Sequence, residues 1–228
     1  MKILSFIIVA ICSFGYANAS AITVFGDKFD VTYNQNQAII GGFGDASTIN
    51  NNIFSFSPFT AFAQTGGGVG IQAHVMTFQG LVTAHQGQTL SSIDVYAFGN
   101  AIFFSNAGVA ISGQIRVVPT GTLDQMTANL QLSTPLTANA AFDFNTHNFV
   151  SHAGISFPVG VVSVDLTIQK VLVAYNNDSL SFGLISNTFD AVTIGTMAVS
   201  VVPEPTSKWL LLIGFISLAF FTNRRNCQ

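Results

Sequence analysis

The sequence predicts an all-β protein built on a single antiparallel β-sandwich, and three observations carry that reading. Helix surfaces are normally assembled from Glu, Lys, Arg and Gln at a spacing of about 3.6 residues. Between residues 20 and 202 this chain has no Glu and only Lys28, Arg116 and Lys170 as basic residues, while Val, Ile, Phe and Thr dominate, the residues that suit a pleated, half-buried surface. Period-two alternation is plain where Val162, Val164, Leu166 and Ile168 alternate with Ser163, Asp165, Thr167 and Gln169. It recurs where Met126, Ala128, Leu130 and Leu132 alternate with Thr127, Asn129, Gln131 and Ser133. Each such run is a strand with one buried and one wet face. Turn chemistry separates the runs at Gly26-Asp27, Gly41-Gly42-Phe43-Gly44-Asp45, Gly66-Gly67-Gly68 and Asn176-Asn177-Asp178.

Taken in order, the strand-forming runs are Ile22 to Tyr33, Phe54 to Phe62, Val69 to Thr83, Leu90 to Phe98, Val109 to Val118, and the 126–133 alternation. Ala138 to Phe144, His147 to Phe157, the 162–169 alternation, Leu180 to Ile185 and Ile194 to Val202 complete the set. Ten or so strands at this spacing, without a βαβ rhythm, fit a sandwich with a jelly-roll-like arrangement; a β-barrel is the alternative. Helices are expected to be no longer than a turn or two. No repeat of solenoid or propeller length is present.

Seventeen of the 22 Phe fall between residues 20 and 202, and they are expected inside, as bulky inward side chains of a core without disulfides. The only cysteines, Cys12 and Cys227, lie outside that stretch. It carries three basic against nine acidic side chains, a net charge of −6, and the basic residues are scattered. Phosphate neutralisation needs clustered Lys and Arg, so nucleic acid is excluded as a partner, and anionic lipid is disfavoured on the same ground.

The two ends read as processing segments. Met1-Lys2, the apolar Ile3 to Phe14, and Tyr16-Ala17-Asn18-Ala19 form a charged region, an apolar region and an Ala-x-Ala cleavage site. Residues 1–19 are therefore expected to be a secretory signal helix, read by the Sec translocon and cut after Ala19 by signal peptidase, with Ala17 and Ala19 as the small residues the protease requires. Cys12 is not a lipoprotein cysteine, because it lies within the apolar region and Ile11 precedes it.

At the other end, Trp209 to Phe221 is an apolar run of about 13 residues, which covers roughly 20 Å of a hydrocarbon core about 30 Å thick. Trp209 suits one interface, and Arg224 and Arg225 form a basic stop just beyond the other end. Residues 209–222 are thus expected to be a short transmembrane helix, its mismatch relieved by bilayer thinning and by snorkelling of Lys208. In front of it, Pro203 and Pro205 hold the chain extended and present Glu204, the only Glu of the chain.

Pro203-Glu204-Pro205, the apolar run and Arg224-Arg225, in that order at the C-terminus, closely resemble the PEP-CTERM sorting signal of Gram-negative bacteria that make extracellular polysaccharide. The resemblance covers about Val201 to Arg225. It implies that exosortase, a membrane-embedded cysteine protease, cuts at the Pro203-Glu204-Pro205 box and releases or transfers the protein. The domain plan is then a signal peptide (1–19), an extracytoplasmic β domain (20–202) and a sorting tail (203–228). The protein is transiently anchored in the inner membrane with Arg224 and Arg225 cytoplasmic, and then passes to the cell surface or the medium.

Motifs for chemistry within the β domain dissolve on inspection. Gly68-Val69-Gly70-Ile71-Gln72-Ala73 has the letters of a dinucleotide fingerprint but enters a strand rather than a helix. Asn177-Asp178-Ser179-Leu180 resembles the Gly-Asp-Ser-Leu box of certain esterases, with its Gly replaced, and reads as a turn. No two of His74, His85, His147 and His152 have the helical spacing of a zinc enzyme, and strand parity assigns His74 to the surface, opposite Val69, Ile71, Ala73 and Val75. A glycosidase pair would have to come from Asp residues such as Asp143 and Asp165.

No cofactor is expected. Calcium is the least implausible ligand, through Asp27 with Asp30 or through Asn176-Asn177-Asp178, against the plainer reading of these residues as turn formers. The expectation for function is a non-catalytic surface or extracellular-matrix protein, associated with exopolysaccharide. The alternative is a secreted carbohydrate-active hydrolase or lectin with a dispersed site, a reading weakened by the lack of any Trp between residues 20 and 202.

Overall fold

The computed structural model describes residues 20–49, 52–58, 61–133, 136 and 146–199. Over these residues the chain runs β1 (Ala21–Phe25), β2 (Phe29–Asn34), α1 (Gln35–Ile40), β3 (Ala46–Ile49), β4 (Ile53–Phe56), β5 (Phe62–Gly66), β6 (Gly70–Ala84) and β7 (Gln88–Phe104). It continues with β8 (Ala107–Pro119), β9 (Met126–Asn129), β10 (Gln131–Leu132), β11 (His147–Ser156), β12 (Ser163–Asn176) and β13 (Phe182–Ala198). The strands form two antiparallel sheets, ordered β1-β2-β6-β12-β8-β9 and β10-β11-β7-β13-β4-β3, with β5 also pairing β13. Among the described residues each sheet ends in edge strands instead of closing on itself, which is the arrangement of a sandwich and not of the alternative barrel.

The polypeptide crosses between the sheets at β2 to β3, β5 to β6, β6 to β7, β7 to β8, β9 to β10, β11 to β12 and β12 to β13. The late strands take central places: β12 lies between β6 and β8, and β13 between β7 and the β4 and β5 pair. Both therefore draw on contacts distant in sequence.

The predicted alternation governs β12, where Val164, Leu166 and Ile168 face inward and are essentially fully buried. It continues past the predicted end, through Lys170, Leu172, Ala174 and Asn176, all on the same inner face. The first predicted run divides at Gly26-Asp27 into the β1–β2 hairpin, whose turn is closed by Gly26 N–H donating to the Phe29 carbonyl at 2.8 Å. The predicted run Ala138 to Phe144 lies outside the described residues, as do the signal segment 1–19 and the tail 200–228. Among the described residues no helix is long and apolar enough to cross a membrane.

Phenylalanine fills much of the space between the sheets, as expected, but not every Phe is inside: Phe25 and Phe62 are exposed, and Phe98 and Phe189 lie on an outer face. Phe29, Phe43, Phe54, Phe56 and Phe78 are almost completely buried, and the rings of Phe43, Phe54 and Phe56 each pack against Phe78 at centroid separations of 4.6 to 6.2 Å. Offset and edge contacts at these distances add to the stabilisation from burial itself.

Phe43 reaches this cluster from a loop. Asn34 caps α1 by accepting from Gln37 N–H at 3.1 Å, and the helix stops at Gly41, where a Cβ would strike the Thr77 carbonyl oxygen. Gly42 and Gly44 take positive φ on either side of Phe43, a conformation glycine adopts without steric cost, and the loop so turned drops the ring into the core.

Candidate functional site

The most unusual chemistry of the described residues lies at the centre of this core. Lys170 continues the apolar face of β12, in register between Met76 of β6 and Gly113 of β8, and its side chain is fully buried. Its Nζ meets both carboxylate oxygens of Asp190 at 2.5 Å, from the opposite sheet. Asp190 is also fully buried, and its Oδ2 accepts a second hydrogen bond, 2.9 Å from Nδ2 of the buried Asn187. The Phe43 ring closes the site, with Nζ 4.6 Å from its centroid.

Asn187 and Asp190 are three residues apart on one strand and would face opposite sides of a regular sheet. A register shift between Asn187 and Phe189 inserts Thr188 as an extra residue, and both polar side chains turn inward. Burial pushes the Lys170 amine below its ordinary range and the Asp190 carboxyl above its own, while the attraction between the two opposes both shifts. Burying such a pair costs several kcal/mol per ion in desolvation, which the mutual attraction offsets only with close geometry and further hydrogen bonds such as that from Asn187. Sequence reasoning did not single out any of these three residues. The available signal was that Lys170 falls on the inward parity of Val164, Leu166 and Ile168, an apolar stripe where a charge is out of place.

The four histidines are not gathered into one site. Nε2 of His85 lies 2.9 Å from Asp30 Oδ1, and its Nδ1 is 3.0 Å from the Asp27 carbonyl oxygen. The hydrogen bond to Asp30 is the main cause of a raised His85 pKa. The stabilisation from this contact is complete below the ordinary histidine value of 6.5 and is lost as pH rises through the higher folded value. The melting-temperature advantage of the wild type over His85→Gln is therefore expected to be largest below that pH and to fade on the alkaline side. It will be small, because the ring is substantially exposed and solvent screens it.

His152 pairs with Asp94 at 3.1 Å and stacks on Tyr96, centroids 4.5 Å apart, on the outer face of its sheet. Tyr96, Phe98 and Phe189 extend this into a row, with ring separations of 6.5 Å between the first two and 5.8 Å between the last two. His147 stacks on Phe103 at 5.1 Å.

For His74, the surface expectation is wrong. It does share a face with Met76, but that face is the core one: Met76, Phe78 and Val82 are fully buried, whereas Val69, Ile71 and Val75 are exposed. The parity was right and the sidedness reversed, because the outer face of β6 is itself apolar and mimics a core stripe. His74 is partly buried, and its Nε2 is enclosed without a hydrogen-bond partner.

The residues considered for calcium are engaged in local structure. Asp178 Oδ1 accepts from Leu180 N–H at 2.9 Å and Ser181 hydroxyl at 2.5 Å, and Oδ2 accepts from Asn106 Nδ2 at 2.7 Å. Those bonds, Ser181 foremost, hold its carboxyl below the usual range. This is the turn reading of Asn176-Asn177-Asp178, and Asn177-Asp178-Ser179-Leu180 lies in the same turn between β12 and β13. Among the described residues, no three His, Cys, Asp or Glu side chains converge as a metal site. Asp165 is exposed on the outer face of β12, beside an open groove of about 540 Å³ that Thr32, Gln79 and Arg116 also line. Asp143 lies outside the described residues, as do Ala17, Ala19, Pro203, Glu204, Pro205, Arg224 and Arg225. Gly68 and Gly70 lead into β6, a strand, so no phosphate-binding helix follows them.

No protein-family model matches the chain, and no curated protein matches it. Among solved structures, a TNF, Eiger from S. frugiperda, is 13% identical, covering 55% of this chain and 69% of its own, at TM-score 0.23. TmCBM61 in complex with beta-1,4-galactotriose is 9% identical, covering 76% and 88%, at TM-score 0.23. Infectious bursal disease virus, Gt strain, is 12% identical, covering 73% of this chain and 49% of that one, at TM-score 0.20. Likenesses at these scores carry no argument about what this chain binds.

Proposed function

We propose that this is an exported, non-catalytic protein of the cell surface or extracellular polysaccharide matrix, delivered through the inner membrane and cut by exosortase at Pro203-Glu204-Pro205. The order β5-β13-β7-β11 against β6-β12-β8-β9 supports placing its domain among jelly-roll sandwiches. The observation that carries the non-catalytic reading is the filled interior. Phe43, Phe54, Phe56 and Phe78 occupy the space between the sheets, so recognition falls to the outer faces. A catalytic site would instead be expected as a concave pocket with converging titratable groups.

One specific observation favours a lectin-like role for the outer face of the β7 sheet. Tyr96, Phe98, Phe189 and His152 present rings in a row, flanked by the Asp94 carboxylate as a hydrogen-bond acceptor. Flat rings beside polar groups are suited to the apolar faces and hydroxyls of sugars. The test is recovery of the full chain with the polysaccharide of a producing Gram-negative host. The expected result is that the processed protein co-purifies with the matrix and that Tyr96→Ala combined with His152→Ala lowers its retention several-fold. Recovery in the cytosol would contradict the proposed function, and unchanged retention of the double variant would remove the aromatic row from it.

A further inference from the structure

We propose that Lys170 and Asn187 become joined by an intramolecular amide bond between the two sheets, with Asp190 as the acid and base that moves the protons. The geometry points to this through a relay. One carboxyl group touches both the candidate nucleophile, Lys170 Nζ, and the candidate leaving group, Asn187 Nδ2. All three side chains are buried, at 0%, 2% and 0% exposure for Lys170, Asn187 and Asp190, so water does not compete as nucleophile. Asn187 Oδ1 is enclosed without a hydrogen-bond partner, which leaves the amide carbonyl anchored through its nitrogen alone. Asn187 keeps the inward phase of Ile185, and the Thr188 bulge shifts the phase after it so that Asp190 shares that inner face; bulges recur where a side chain has to be re-aimed.

The protonation states suit the reaction. Burial works against both charges, which lowers the cost of passing a proton along the Nζ to Oδ1 contact, and the reaction starts from the free amine and carboxylic acid that this transfer forms. The amine lone pair attacks Asn187 Cγ, forming a C–N bond and placing the carbonyl electron pair on Oδ1. Asp190 takes a proton from Nζ and gives one to Nδ2. The carbonyl re-forms as the Cγ–Nδ2 bond breaks, and ammonia leaves. Amine plus primary amide thus becomes secondary amide plus ammonia, with Asp190 left as the carboxylic acid it became on taking the Lys170 proton and no oxidant or co-reactant consumed. Holding nucleophile, electrophile and proton carrier in one packed site supplies the proximity that such a step lacks in solution.

The product would replace a costly buried charge pair by a neutral amide and would tie the central strands β12 and β13 together around the turn between them. The chain has no cysteine between Cys12 and Cys227, so this is a cross-link the described residues can make where a disulfide is unavailable to them.

The experiment is mass spectrometry of the purified full chain, intact and after denaturation and trypsin digestion. The expected mass is lower by one ammonia. Trypsin is expected to leave Lys170 uncut, giving one peptide that begins at Val117 and runs through Asn187. Asn187→Ala should restore both the full mass and cleavage after Lys170. Full mass with cleavage after Lys170 in the wild type would overturn the proposal. Loss of one water in place of ammonia would put the bond on Asp190 and overturn the assignment to Asn187.

Discussion

Asp190→Ala is expected to destabilise the sandwich by about 3–5 kcal/mol, the usual cost of breaking a buried ion pair from one side. The physical reason is desolvation. Lys170 is fully buried between the sheets, and without the carboxylate its ammonium has neither water nor counter-ion. It then has to give up its proton or open the core, and both are costly. Asn187 Nδ2 loses its acceptor in the same change, leaving a second buried group unsatisfied. Lys170→Met combined with Asp190→Ala should recover part of the loss, since an apolar side chain of similar length then occupies the site without charge. Equilibrium denaturation of the wild type and the two variants measures this. A loss below about 1 kcal/mol for Asp190→Ala, the size of an average substitution, would mean that the pair is not the buried contact described.

The second large effect concerns the tail. If the proposed tail anchors the chain and residues 1–19 are removed on export, deleting Trp209 to Arg225 is expected to send the β domain out of the membrane fraction altogether. Arg224→Ala combined with Arg225→Ala should act differently. It weakens the basic stop that fixes orientation while leaving the Pro203-Glu204-Pro205 box intact, so cleavage continues on whatever fraction is still correctly inserted. Membrane fractionation with blotting separates these cases, and persistence of the deleted form in the membrane would show that another segment holds the chain.

How far the sequence revealed the fold depended on how regular each strand is. In the first half of β12, Val164, Leu166 and Ile168 alternate with polar residues, and their buried face followed from period two, whereas the second half from Lys170 to Asn176 did not. β13 was predicted as two strands, Leu180 to Ile185 and Ile194 to Val202, yet it is one strand from Phe182 to Ala198. The gap is the stretch where Asn187, Thr188 and Asp190 interrupt the apolar pattern. Asn187 and Asp190 face inward, where Asp190 meets Lys170 of the other sheet, while Thr188 is exposed, and a partner 20 residues away on another sheet leaves no local trace. Local rules fail most often where a protein keeps a special site, and that is what happened here.

His74 failed for the opposite reason: its strand carries apolar residues on both faces, so periodicity located the strand but could not tell inside from outside. The histidine and aspartate pairs, His85 with Asp30 and His152 with Asp94, depend on strand register and were likewise invisible before the sheets were assembled. The sorting tail is the reverse case. Pro203, Glu204 and Pro205 are legible as a motif and lie outside the described residues.

In the proposed function this β domain is exported and released by a protease that reads Pro203-Glu204-Pro205. The most direct test is the C-terminal mass of the released protein, compared between wild type and Glu204→Ala in a host that carries exosortase. The wild type is expected to end within or next to the box, while Glu204→Ala is exported normally and accumulates at full length in the inner membrane. Release of Glu204→Ala with the same C-terminus as the wild type would contradict it, and would leave the tail as a membrane anchor alone.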